Sequence, residues 1–91
     1  MYPSTPTTYA LPFDGKVRIA SKARFVLVRW LPGDDTRPFI VRRSESKVNL
    51  ERDYDRETDY IVDQVSGRVT YHFGGHQETF DSRTGRDLGR V

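Results

Sequence analysis

The chain reads as a β-rich α+β domain, a small antiparallel sheet of about five to six strands, open or partly closed into a barrel. Three observations carry this reading. Short runs rich in Val, Ile, Phe, Tyr and Trp recur along the 91 residues. Turn dipeptides separate them at short intervals, as in hairpin-dominated sheets. Only residues 46–56 have any helical spacing, so at most one short helix is predicted there.

In chain order, residues 1–10 (Met1 to Ala10) are rich in Pro, Ser and Thr and predict a flexible arm ahead of a single domain over 11–91. The arm has no charged and apolar regions of the kind a signal peptide needs. Asp14-Gly15 marks a turn, and Lys16 to Ala20 alternates as a short strand. Arg24 to Leu31 is nearly continuous in β-branched and aromatic residues and predicts a central strand. Pro32-Gly33-Asp34-Asp35 turns the chain, and Pro38 to Arg43 returns as the second arm of a hairpin. Ser44 or Ser46 caps the predicted helix, with Leu50 and Tyr54 on one face; the rival is an extended segment with strand alternation from Asp53 to Asp63. Asp59 to Asp63, Arg68 to Phe73 and Gln77 to Asp81 read as further strands, with Gly74-Gly75 as a tight turn and a tail after Arg86. The predicted core is Val17, Ile19, Val26, Val28, Trp30, Phe39, Val41, Ile61, Val69, Tyr71, Phe73 and Phe80.

Composition narrows the function classes. The absence of cysteine excludes disulfides, thiolate zinc sites and thiol nucleophiles, and points to a cytoplasmic setting. No run approaches the roughly 18 apolar residues of a membrane span. Fifteen basic residues, twelve of them Arg, face thirteen acidic ones, a net charge of +2. That near balance argues less for nucleic acid than for a partner of mixed charge.

No catalytic constellation emerges. Ser44, Ser46, Ser66 and Ser82 sit in cap or turn contexts rather than in a nucleophile elbow. Asp53, Asp55, Glu57 and Asp59 alternate like calcium ligands, yet Thr58 and Gln64 stand where an EF-hand requires Gly and Glu. His72 and His76, with Glu78 and Asp81 nearby, flank a turn at a spacing that matches no metal motif. No glycine-rich loop opens a helix to cradle a phosphate, and Arg68 to Phe73 lacks the glycines of an RNA-recognition strand. The expectation is a non-enzymatic protein with no metal and no cofactor.

The central hairpin carries the functional expectation. Pairing Trp30 near Phe39 and Val28 near Val41 places Val26, Val28, Trp30, Phe39 and Val41 on one face. Phe25, Leu27, Arg29, Ile40 and Arg42 then share the other. Either a helix or the arm covers this second face while the arginines snorkel out, or it is an exposed aromatic and Arg surface of the kind enriched at protein interfaces. The latter makes Arg24, Phe25, Leu27, Arg29, Ile40, Arg42 and Arg43 the candidate binding residues for a protein partner, in an accessory, regulatory or inhibitory role. The alternative is a single-stranded nucleic acid or RNA, held through Arg24, Arg29, Arg42 and Arg43.

Overall fold

The computed structural model describes residues 6–33 and 36–90, apart from the side chain of Arg90. Two sheets make up the domain. A hairpin of β1 (Thr7–Ala10) and β2 (Lys16–Ile19) forms one. The other is a six-stranded antiparallel sheet in the order β4-β3-β5-β6-β7-β8, whose strands are β3 (Phe25–Arg29), β4 (Phe39–Ser44), β5 (Asp59–Asp63), β6 (Arg68–Phe73), β7 (His76–Asp81) and β8 (Arg86–Arg90). It stays open, with β4 and β8 at its two edges.

The topology explains the single helix, α1 (Lys47–Glu51). β4 and β5 both pair antiparallel with β3, one on each side. The chain leaving β4 therefore has to cross the face of β3 to reach β5, and α1 lies on that crossing. Leu50 is its one buried residue and packs with Leu27 and Ile61, flanked by Phe25 and Tyr54. The helix ends at Glu51 rather than running to Arg56 because local side-chain bonds compete with helical pairs beyond it. Asp55 Oδ1 accepts the Glu57 N–H at 2.9 Å, and Asp59 Oδ2 accepts the Asp55 N–H at 2.9 Å. Ser46 is the N-cap residue, although its side chain makes no capping bond.

The β1–β2 hairpin covers the opposite face. Leu11, Val17 and Ile19 pack there on Val26, Val28, Trp30, Tyr60, Val62, Val69, Tyr71 and Phe80. Residues 7–10 of the expected arm are thus a strand; Pro6 ahead of it is exposed, and residues 1–5 lie outside the described residues. Tyr9 ties β1 down by donating its hydroxyl proton to Gln64 Oε1 at 3.1 Å, while Gln64 Nε2 donates to the Ser21 and Ala23 carbonyls at 2.9 and 2.7 Å. The hairpin turns through Phe13 and Asp14, both in the left-handed region at φ 62° and 64°. A bulky aromatic is strained there. Its ring is set edge-on to Tyr71 and beside Phe73, with centroids 5.9 and 5.4 Å away.

Three members of the expected core are exposed instead: Phe39, Val41 and Phe73. For the first two the cause is a bulge. The β3–β4 register shifts between Leu27 and Val28, so that Val28 faces Ile40 and Arg29 faces Phe39. A one-residue slip moves side chains to the opposite face. Ile40 thereby joins the hairpin-side core, and Phe39 turns to the other side. Phe73 lies at the end of β6, beyond full cover. Ile61 is buried as expected, but under α1. The strand expected as a tail, β8, pairs with β7 through a second register shift.

Candidate functional site

The seven residues expected to form one binding surface are divided by the fold. Leu27 is fully buried under α1, and Ile40 packs on the hairpin side, so neither forms part of an exposed Arg-rich face. Phe25 is half-buried beside α1, with the Arg24 guanidinium 4.9 Å above its ring. Arg42 and Arg43 lie on edge strand β4 and are exposed, but the register sends them to opposite sides: Arg42 stands opposite Leu27 and Arg43 opposite Val26.

Three of the acidic residues answer arginines. Asp59, whose side chain is fully buried, accepts from Arg29 Nε and Nη2 at 2.8 and 2.9 Å, and from the Thr58 hydroxyl and the Asp55 N–H at 2.9 Å each. Burial pushes its pKa up, but the Arg29 fork, the backbone N–H and the hydroxyl outweigh that and hold it below the ordinary value. Asp63 takes the Arg24 fork at 3.3 Å on both arms and two further backbone N–H groups. Burial raises its pKa too, and again the donors prevail, leaving it lowered. Asp53 bonds Arg42 at the surface. Of the residues that looked like alternating calcium ligands, Asp53, Asp55 and Asp59 are therefore engaged by guanidinium, hydroxyl or backbone donors. Among the described residues, no group of three or more His, Asp or Glu side chains converges as metal ligands would. His72 turns to Tyr54 rather than to His76, with the phenol oxygen 2.8 Å from Nδ1. Burial first, and the Arg56 charge second, lower the His72 pKa. The imidazole is thus neutral at pH 7, the protonated phenol donates, and the ring proton is assigned to Nε2.

The sheet edge at β4 is one of the two open edges of the six-stranded sheet. Its outer side has no neighbouring strand among the described residues. Phe39 is 56 % exposed and Val41 37 %. Alongside runs a groove of about 360 Å³ between β2 and β4, floored by Val17, Pro38 and Ile40 and rimmed by Lys16, Arg18 and Arg37. No described lining residue is a carboxylate. Sequence reasoning missed these three cations as partners of β4. Alternation along Lys16-Val17-Arg18 does announce two outward cations, but nothing in the sequence says that β2 comes to rest beside β4. No protein-family model, curated protein or solved structure matches this chain. Among the described residues, no helix is long and apolar enough to cross a membrane.

Proposed function

We propose that this domain is a non-enzymatic cytoplasmic binding module that docks an acidic, extended segment of a partner protein onto the β4 edge, as an accessory or inhibitory subunit does. The observation that carries the reading is the open β4 edge, with exposed Phe39 and Val41 and a cationic rim. An added strand gains affinity from main-chain hydrogen bonds and specificity from alternate side chains. Arginines on an edge strand also discourage self-pairing, and the same charge selects the guest. A second copy would bring Arg42 and Arg43, or Arg86 of β8, against like charges. A strand carrying Glu or Asp meets the rim favourably instead.

The test is calorimetric titration with an extended peptide of alternating Glu and Val, combined with amide hydrogen exchange. Saturable binding with protection over Phe39–Ser44 is the expected result, weakened about tenfold or more by Arg43→Glu. Absence of protection on β4 at saturating peptide overturns the edge reading. Tighter binding of a single-stranded oligonucleotide than of the peptide at about 150 mM salt, falling steeply as salt rises, would favour the nucleic-acid alternative.

A further inference from the structure

On the side of the sheet opposite the hairpin, α1 covers only part of the surface. It buries Leu27 and Ile61 and leaves the rows of β6 and β7 beyond them half-exposed and polar. Two hollows of about 390 and 380 Å³ lie there, and both are lined by Lys47, Ile61, Thr70 and Gln77, so they form one trough along the helix. Its floor presents the hydroxyls of Thr70 and Thr79 and the amide of Gln77. Four cations line it, Arg24, Lys47, Arg56 and Arg68, against two carboxylates, Glu51 and Asp63.

The three ion pairs among the described residues are Arg24–Asp63, Arg29–Asp59 and Arg42–Asp53, so Lys47, Arg56 and Arg68 enter none of them. Lys47 is half-buried. Its ammonium group lies on the sheet and donates to Thr70 Oγ1 at 3.5 Å. An ammonium laid over a hydroxyl floor and flanked by two further cations calls for a compact oxyanion with several acceptor oxygens.

We propose that this trough binds a phosphate group, carried by a small phosphomonoester and held by Lys47 and Arg68 over the Thr70 and Thr79 hydroxyls. The site is independent of the β4 edge, which faces away along the other margin of α1. Tyr54, Arg56 and Gln77 surround His72 at one end of the trough, with Lys47 and Glu51 nearby. Negative charge bound there opposes the Arg56 field and raises the His72 pKa, a readout separate from affinity.

The test titrates the folded protein with inorganic phosphate and with phosphoserine, following amide shifts, against sodium chloride at matched ionic strength. The expected result is saturable shifts at Thr70, Gln77 and Thr79 and an upward move of the His72 titration. Lys47→Ala and Arg68→Ala each weaken binding about tenfold, with unchanged circular dichroism confirming that both fold. Lys22→Ala removes one positive charge from an exposed position outside both the trough and the β4 groove and leaves affinity unaltered. Tighter binding of phosphoserine than of phosphate identifies an organic ester as the ligand, and the reverse order identifies the free ion. Shifts that chloride reproduces, no saturation by about 10 mM of either probe, or an equal loss in Lys22→Ala overturns the proposal.

Discussion

The two faces of the six-stranded sheet are built on opposite plans. Under the hairpin, apolar side chains run without interruption from Trp30 through Tyr60 and Tyr71 to Phe80, and Trp30–Tyr60 and Tyr60–Tyr71 ring contacts at 6.1 and 5.9 Å span three neighbouring strands. Under α1 the apolar patch amounts to Leu27, Leu50 and Ile61 with Phe25 and Tyr54 at its border, and over β6 and β7 that face is hydroxyl, amide and charge. Hydrophobic stabilisation scales with apolar area removed from water. The hairpin side therefore supplies most of the stability, which leaves the helix side free to hold polar groups that a core would not tolerate.

Truncation on the two sides should separate them most clearly. Trp30→Ala should cost about 3–5 kcal/mol, enough to unfold a domain of this size. The ring is almost fully buried, and its Nε1–H donates to the Thr36 carbonyl at 3.3 Å. Leu50→Ala should cost about 2–3 kcal/mol, near the low end for a buried leucine, because a five-residue helix can settle into the space it leaves. Urea denaturation followed by circular dichroism measures both. A Leu50→Ala loss equal to that of Trp30→Ala would mean that the two faces contribute alike.

Overpacking probes the same division from the hairpin side. Gly15 sits against the Trp30 ring, and a Cβ at that position would come within 2.4 Å of Cζ3 and 2.7 Å of Cη2. The indole is wedged between the hairpin and the sheet, so Gly15→Ala has to displace one of them, at about 1–3 kcal/mol. A melting temperature unchanged by this substitution would show that the hairpin rests on the sheet only loosely.

Much of this architecture was legible in the residues. Alternation placed Val69, Tyr71 and Phe73 on one face, of which Val69 and Tyr71 are core and Phe73 is exposed, and the nearly unbroken run from Arg24 to Leu31 foretold a central strand without deciding whether its second face is covered. The misassignments trace to particular devices. The bulge opposite Leu27 and Val28 exchanged the faces of Phe39 and Ile40, and a bulge leaves no periodic trace in a segment already apolar at every position from Phe39 to Val41. Thr7–Ala10 pairs with Lys16–Ile19 across a turn made by Phe13 and Asp14, residues that hairpin rules do not favour at positive φ. The candidate binding residues dispersed for a related reason. Burial of Leu27 depends on where the β4-to-β5 crossing runs, which is a property of strand order rather than of local pattern.

The smallest expected effect is titration, and it should act on the helix side. The acidic and imidazole groups held below their ordinary pKa values, Asp59, Asp63 and His72, all lie on that face. A lowered folded-state pKa means that the unfolded chain binds more protons, so stability rises with pH across the interval. For the two carboxylates the contribution is complete above about pH 4 and is lost as pH falls through their depressed folded values. For His72 it is complete above 6.5 and is lost as pH falls through its own lower value. Melting temperature should thus decline in two stages on acidification, a shallow one below 6.5 and a steeper one below about 4. His72→Gln should remove the first stage while leaving the second, and Asp59→Asn should flatten the second at the cost of a lower plateau, because Arg29 then loses its counter-charge. Trp30→Phe, a change on the hairpin side, should lower the whole curve without altering either stage. If that substitution reshaped the acid limb, or if His72→Gln left the first stage in place, proton binding would be coupled to the hairpin side as well and the division between the two faces would fail.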